Sequence, residues 1–445
     1  MAAGVSHEQQ VTRGYSAYVL TLLALLYTFN FLDRQVINIL AESIKRDLQI
    51  SDTQLGLLTG TAFGIFYSVL GVPIARLADR WSRVGIISFS LFLWSLLTAL
   101  CGLTQTYLQL FLCRLGVGIG EAGGSPPAQS LISDYFPYSR RATAMAVFTL
   151  GVPFGSFLGY LVGGFVDDRW GWRVAFFVAG LPGLILVLLI RLTVREPVRG
   201  QADGIPPEAR GELRPLRPTL RSMFERKSYI RLVLGGTFGI LIVYISGAWL
   251  PPFFIRVHGM TAGEIGTWLA LSVGLGGAIG SIGGGWLSDR LRRRHPRPEI
   301  WILAVSTALT CPLLLLTVLS ERLPLALTGL FLLNMFAFVW IGPTSATIQR
   351  VVPIRSRSLA VGIQLSVANI ISLTFGPPIV GYISDLLRPE HGAESIRYAL
   401  AIASFAAFGG TACYLLAGRY VLRDIELAES GRPGRGLARE SAVGA

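Results

Sequence analysis

Two apolar stretches of this sequence each carry a pair of charged residues. The stretch nearer the N-terminus contains Asp33 and Arg34, and the second contains Arg114 and Glu121. Each stretch is long enough to cross a bilayer, which takes about 20 residues. A charge at the centre of a spanning helix costs roughly 2.5–3.5 kcal/mol or more, so such charges need partners and commonly mark function. We therefore predict that these four residues work together.

The predicted chemistry of this charge cluster is proton exchange. Taken as helices rising 1.5 Å per residue, the two stretches place Asp33 level with Arg114 and let Arg34 reach toward Glu121, so we predict two ion pairs. Our hypothesis is that Glu121 takes up and releases a proton as its arginine partner approaches and withdraws, with Asp33 as the second candidate. Burial away from water favours the neutral carboxyl, whereas a nearby arginine favours the carboxylate. The alternative is a static, fully paired lock between the helices.

The composition places these stretches in a polytopic membrane protein. Of the 445 residues, 52% are hydrophobic and only 15% are charged, against about 25% charged in soluble domains. The net charge is +13, but most Arg and Lys residues lie in the termini and in alternate connections, which predicts cytoplasmic termini and argues against nucleic-acid binding. The predicted fold is all-α, with twelve transmembrane helices at roughly 15–40, 55–78, 85–104, 106–133, 142–166, 173–194, 230–255, 262–287, 299–319, 323–349, 358–384 and 396–420.

The two halves of the chain repeat each other. Residues 75–83 after span two (ARLADRWSR) match 285–293 after span eight (GWLSDRLRR), and 137–144 match 353–360 at nearly the same offset. Such matches indicate two pseudo-symmetric six-helix bundles. The predicted organisation is an N-terminal bundle at 1–194, a cytoplasmic linker at 195–229 with short helices near 216–226, a C-terminal bundle at 230–423 and a disordered cytoplasmic tail at 424–445.

These motifs resemble those of a known transporter family. Residues 75–83 are similar to the Gly-x-Leu-x-Asp-Arg-x-Gly-Arg loop of the major facilitator superfamily, although Ala75 and Ser82 stand where glycines are usual. Within that superfamily, NFLDR at 30–34 and RLGVGIGEA at 114–122 resemble the spinster group. The resemblance implies a proton-linked secondary transporter, whose eukaryotic relatives export sphingosine-1-phosphate or lysophospholipids. We expect a bacterial inner-membrane member of this group.

The resemblance also implies gating residues at the cytoplasmic helix ends. Oppositely charged groups there would bridge spans in one conformation and release them in the other. The alternative is that the arginines only anchor the topology. We expect Asp134 to pair with Arg76 or Arg83. The gating candidates are Asp79, Arg80, Arg83, Asp134, Asp289 and Arg290.

Polar and aromatic residues within spans one, seven and ten are candidates to line a substrate cavity. Each could equally be a packing residue. A cavity with charge on one wall and apolar side chains on the other suits an amphipathic molecule with a polar head. The candidates are Tyr27, Asn30, Tyr244, Trp340 and Thr344, with Asn334, Gln364 and Asn369 as weaker ones.

Several other functions lack sequence support. The G-x-x-x-x-G-K-[ST] loop is absent, which argues against ATP-driven transport. No His/Cys cluster suggests a metal, and the four histidines lie in tails or loops, so we expect no enzyme and no cofactor beyond the coupling proton. We predict a monomeric, proton-coupled carrier of a lipid-like or amphipathic molecule using alternating access. The alternatives are an exporter of drugs, sugars or organic acids, a non-transporting sensor and an intramembrane enzyme.

Overall fold

The computed structural model describes residues 12–78, 80–203, 216–292, 298–353 and 356–429, and these are almost entirely helical. The helices of the first half are α1 Arg13–Ile39, α2 Ala41–Leu48, α3 Asp52–Gly56, α4 Ala62–Ala78, α5 Arg83–Cys101, α6 Tyr107–Glu121, α7 Ser125–Tyr135, α8 Tyr138–Thr149, α9 Gly151–Trp170 and α10 Trp172–Thr193. Those of the second half are α11 Leu216–Phe224, α12 Lys227–His258, α13 Ala262–Leu271, α14 Gly277–Arg292, α15 Pro298–Leu319, α16 Leu323–Val339, α17 Ile341–Val351, α18 Arg357–His391, α19 Ser395–Ser404, α20 Ala406–Gly418 and α21 Val421–Glu429.

These helices are consistent with twelve passages across a membrane. Ten helical segments in the described part of the chain are long and apolar enough to span. One of them, Leu359–Gly418, has 60 residues, about twice the length that a bilayer needs. It reverses at Gly392, where φ is +57°, and so supplies two passages. Residues 107–135 form the remaining passage, in which α6 and α7 are separated by a break beside the charged Glu121.

The passages form two bundles of six. Passages 1–6 are α1, α3–α4, α5, α6–α7, α8–α9 and α10; passages 7–12 are α12, α13–α14, α15, α16–α17, α18 and α19–α20. Within the bundles α1 packs against α9, α5 against α10, and α12 against α18 and α20. Passages 2 and 8 each contain a π-helical turn, at Leu57–Thr61 and Ser272–Gly276. This matching irregularity supports the internal repeat.

The two bundles meet mainly at one end. We name the end where α1 begins the proximal end and the opposite end the distal end. Contacts between the bundles run through α3–α4 against α18 and through α9 against α13. A Cβ on Gly60 would lie 2.5 Å from the Leu373 carbonyl oxygen, and one on Gly266 would lie 2.4 Å from that of Tyr160. Glycine therefore lets backbone touch backbone on both sides of the distal interface.

The C-terminal boundary differs from the predicted one. Residues 424–429, expected to be disordered, continue the helix α21. The reason is a buried anchor, because the Asp424 carboxylate accepts hydrogen bonds from the Ser228 N–H (2.9 Å) and hydroxyl (2.6 Å) at the start of α12. Ile425 is also buried. The rest of the predicted tail, 430–445, lies outside the described residues, whereas the expected linker helix is present as α11.

We predict that Gly60→Ala opens the distal interface. The added methyl group would overlap the α18 backbone, and overpacking of this kind typically costs about 1–3 kcal/mol. Spin labels at Gln49 and Glu390, exposed positions in opposite bundles, should show a longer distance by double electron–electron resonance. Gly71→Ala is the matched control, since a Cβ there meets no atom within 4 Å. An unchanged distance in Gly60→Ala would contradict the prediction.

Candidate functional site

One of the two predicted ion pairs is present. Arg34 Nε lies 2.8 Å from Glu121 Oε2, and the Glu121 side chain has no exposed surface. The Arg34 guanidinium also lies against three aromatic rings, the nearest being Tyr67, whose centroid is 4.2 Å away. The geometry predicted from the helical rise is therefore confirmed for this pair.

The other predicted pair, Asp33 with Arg114, is not present as a direct ion pair. Asp33 Oδ2 instead accepts a hydrogen bond from the Thr98 hydroxyl at 3.0 Å. Asp33 and Arg34 are consecutive on α1, so their side chains leave the helix about 100° apart. The prediction of this pair was wrong because the Asp33 carboxylate is directed to the Thr98 hydroxyl of α5.

Arg114 is buried with unused hydrogen-bonding capacity. The residue is 1% exposed, and its Nε and Nη1 have no hydrogen-bond partner among the described residues. The Phe63 ring lies between the two arginines, with centroid distances of 4.9 Å to Arg34 and 5.7 Å to Arg114. An unsatisfied buried group of this kind calls for a ligand, water or a changed conformation.

The helix that carries Arg114 and Glu121 is interrupted directly after Glu121. α6 ends at Glu121, and α7 begins at Ser125 with prolines in its first turn. These prolines are Pro126 and Pro127, which cannot continue the hydrogen-bond ladder of a preceding helix. Because proline lacks an N–H, it fits the first turn of the new helix. Glu121 thus lies at a helix end rather than within a continuous ladder.

A central cavity lies between the two bundles beside this cluster. Its volume is about 260 Å³. Arg34 and Arg114 reach it from the first bundle, and the second bundle contributes mostly apolar and amide side chains, so the predicted contrast between the walls is present. Of the cavity candidates, the structure places four at its wall: Tyr244, Trp340, Asn334 and Asn369. The Tyr244 hydroxyl donates to Asn369 Oδ1 at 2.8 Å.

The remaining cavity candidates lie elsewhere in this conformation. Tyr27 stacks on Phe148 with ring centroids 4.4 Å apart. Thr344 is buried in the second bundle, where its hydroxyl lies 3.2 Å from that of Tyr414. Asn30 and Gln364 are also buried away from the cavity wall.

The polar wall residues that the sequence analysis missed include two on α1. Gln35 and Asn38 follow Arg34 on α1 and line the cavity. Asn38 is four positions after Arg34 and therefore shares its helix face. Helical spacing from Arg34 was the signal that could have identified it.

The contacts of two proximal gating candidates, Arg83 and Asp134, stay within the first bundle. Arg83 pairs with Asp134, as predicted, and its Nε lies 2.7 Å from Glu196 Oε1, which the sequence did not reveal. These contacts join passages 3 and 4 to the segment after passage 6, all in the first bundle. Arg80 and Asp289 are exposed, the Arg290 guanidinium lies 5.4 Å from the Trp286 ring centroid, and Asp79 lies outside the described residues.

A charged cluster that the sequence did not predict joins the bundles at the distal end. Arg256 from α12 donates from Nε to Glu42 Oε2 at 2.5 Å and from Nη1 to Asp52 Oδ2 at 2.9 Å. Lys45 pairs with the same Asp52. Burial, reinforced by the neighbouring Arg256, lowers the pKa of Lys45. Arg256 is the cation that contacts both carboxylates of this cluster, and its guanidinium stays charged in proteins.

Carboxylates cap helices reciprocally across the same interface. Asp385 of the second bundle accepts the Thr53 N–H at 2.7 Å at the start of α3. Asp168 of the first bundle accepts the Gly263 N–H at 2.9 Å at the start of α13. A carboxylate at a helix N-terminus satisfies free N–H groups and interacts favourably with the helix dipole. These residues were missed because they lie at the edges of the predicted spans, where charges are expected anyway.

Comparison with known proteins agrees with this architecture. A family model described as Major Facilitator Superfamily matches residues 23–377. The chain belongs to the major facilitator superfamily. It is 34% identical over 407 residues to an MFS-type efflux pump of Mycolicibacterium smegmatis, covering 91% of this chain and 93% of that protein. The predicted superfamily and the all-α fold of two bundles are confirmed, and the chain is an integral membrane transporter.

The resemblance of this superfamily member to spinster proteins is also confirmed. It is 29% identical over 455 residues to protein spinster homolog 1 of Homo sapiens, covering 94% of this chain and 84% of that protein. A crystal structure of a bacterial homolog of the human lysosomal transporter spinster, inward-facing and unoccupied, matches with a TM-score of 0.85 at 30% identity, covering 93% of this chain and 99% of that one.

We predict that Arg256→Leu separates the distal ends of this transporter. Removing one partner from a buried ion pair costs up to about 3–5 kcal/mol, and less here, because Lys45 would remain beside Asp52 and Arg46 beside Glu42. Energy transfer between dyes at Gln49 and Glu390 should therefore fall. Arg173→Leu removes a more exposed pair within one bundle, with Asp47 at 2.7 Å, and should leave it unchanged. Equal transfer in Arg256→Leu and the wild type would refute this role of Arg256.

Proposed function

We propose that this chain is a proton-coupled secondary transporter that moves a lipid-like or amphipathic small molecule by alternating access. It works in the bacterial inner membrane with both termini, and hence the proximal end, in the cytoplasm. The observation that carries the proposal is the buried Arg34–Glu121 pair at the wall of a cavity enclosed by both bundles. The bundles contact each other through the distal interface, which supports an inward-facing conformation like that of the structurally similar spinster homolog.

Glu121 is the proposed proton carrier. Its Oε2 accepts from Arg34, whereas its Oε1 is buried without a hydrogen-bond partner in the described part of the chain. A carboxylate held by one arginine at a helix break loses its stabilisation when that arginine moves, and protonation then becomes favourable. Asp33 is the second candidate, because it is buried and its Oδ1 is likewise unpartnered. Rocking of the bundles would couple this exchange to cavity access.

Arg114 is the proposed anchor for the polar head of the substrate. Two of its nitrogen atoms face no acceptor, and the residue lines the cavity. A guanidinium binds carboxylate or phosphate groups through paired hydrogen bonds. The opposite wall offers Trp340, Phe338 and Leu365 to an apolar tail. The two walls together fit an amphipathic molecule with an anionic head.

An exporter of drugs, sugars or organic acids is the second candidate function. The specific observation in its favour is the similarity to the mycobacterial efflux pump. The fold and the coupling residues would be the same, and only the cargo would differ.

The proposal is tested in proteoliposomes loaded with lysophospholipid, with and without a pH gradient. We predict that the gradient accelerates lipid flux in the wild type and has no effect on flux in Glu121→Gln, because the amide cannot carry the proton. Glu321→Gln, the same change at an exposed site, should behave as the wild type. Gradient-driven flux in Glu121→Gln would refute the assignment of Glu121. Flux of drugs, sugars or organic acids without lipid flux would favour the second candidate.

We further predict that Arg114→Ala weakens binding of an anionic amphiphile more than that of a neutral one with the same tail. A hydrogen bond to a charged group is worth about 1.5–3 kcal/mol, so KM for the anion should rise about 10- to 100-fold. Arg114→Lys should restore binding only partly, since an ammonium lacks the guanidinium fork. Equal losses for both amphiphiles would mean that Arg114 does not bind the head group.

A further inference from the structure

A second cavity lies on the outer side of the second bundle, away from the transport cavity. It is a groove of about 500 Å³ between α14, α15 and α16, and its lining is almost entirely apolar. Its walls include Trp286 and Trp301, which are 61% and 62% exposed. The groove is a local depression on a face that points toward the bilayer, whereas the surface of an ordinary spanning helix is ridged by its side chains.

Glycines form the floor of the groove. Gly280 and Gly284 let α14 pack directly against α16. A Cβ on Gly280 would lie 1.8 Å from the Met335 carbonyl oxygen, and one on Gly284 would lie 2.4 Å from that of Val339. Gly283 behaves differently, because a Cβ there would meet no atom within 4 Å. The first two glycines allow close packing of the helices. Gly283 instead leaves open space along the groove.

Two indole rings line the proximal mouth of the groove, and a cation lies beside one of them. The Arg290 guanidinium lies 5.4 Å from the Trp286 ring centroid. Tryptophan is enriched at the level of lipid head groups, so this mouth lies where a phosphate would be. Glu299, the acidic residue near Trp301, is buried and paired with Arg350 at 2.7 Å, which reduces its repulsion of an anion.

The helical period separates the groove face of α14 from its opposite face. Each residue turns the helix by about 100°. Arg290 follows Gly283 by seven positions and Trp286 by four, so it falls on the groove face. Asp289 and Gly285 fall on the opposite face. Arg290 is therefore directed to the groove side, whereas Asp289 is directed to the other side.

From this geometry we propose that the groove is a binding site for an anionic phospholipid. One acyl chain lies along the glycine floor, and the phosphate contacts Arg290 between the two tryptophans. Basic pockets between spanning helices on the cytoplasmic side commonly bind anionic head groups. The lipid is a resident of the transporter and not its cargo, because the site is separated from the central cavity by α16 and shares none of its arginines.

The test is native mass spectrometry of the full-length protein. The protein is purified in mild detergent and equilibrated with equal amounts of phosphatidylglycerol and phosphatidylcholine that have identical acyl chains. We expect the wild type to retain phosphatidylglycerol preferentially. Gly283→Leu should remove most of the retained lipid by filling the groove, whereas Gly285→Leu, on the opposite face and also free of contacts, should not.

Charge variants test the head-group contact without altering the groove. Arg290→Gln should lower the preference for phosphatidylglycerol about 5-fold, as expected for the loss of one arginine–lipid attraction, and Arg290→Lys should restore it. Three outcomes would overturn the proposal. The first is full lipid retention in Gly283→Leu. The second is loss of the lipid in Arg114→Ala instead, which would place the lipid in the transport cavity. The third is that a second copy of the chain, not a lipid, is bound and is removed by Gly283→Leu.

Discussion

The structure depends on one constraint, which is that a charge held between spanning helices must have a partner. Arg34 and Glu121 satisfy it at the cavity wall, where the Glu121 side chain is fully buried and that of Arg34 is 11% exposed. The aromatic rings around Arg34 add further stabilisation of the cation. A pair held this way is stable only while both groups carry their charges, so gain or loss of a proton necessarily disturbs the packing between passages 1 and 4.

The distal cluster obeys the same constraint across the two bundles. Arg256 is the cation for two carboxylates that belong to the other bundle. The reciprocal caps by Asp168 and Asp385 are weaker individually, but they act on both sides of the pseudo-symmetry axis. The cavity wall and the distal interface therefore use the same type of interaction for different purposes, one within a bundle and one between bundles.

Much of the fold and part of the site could be predicted from the sequence. The length of the apolar segments and the repeated loop motif were sufficient to predict the two bundles, because each can be read from a short stretch of sequence. The pairing of Arg34 with Glu121 followed from helical rise alone. Thr98, the partner of Asp33, could not be predicted because a neutral hydroxyl within an apolar span carries no signal of its own. Arg256 and Glu42 were missed because a charge at the edge of a span is also what an ordinary loop would contain.

The glycine contacts between the bundles have a consequence for the thermodynamics of switching. Where Gly60 meets the carbonyl of Leu373, and Gly266 that of Tyr160, no glycine side chain is ordered or released when the surfaces join or part. Burying a long side chain can cost up to about 2 kcal/mol in rotamer freedom, whereas glycine has none to lose. At these contacts, closure of the distal end costs little side-chain entropy. The glycine surfaces can therefore separate and rejoin without a change of side-chain rotamer.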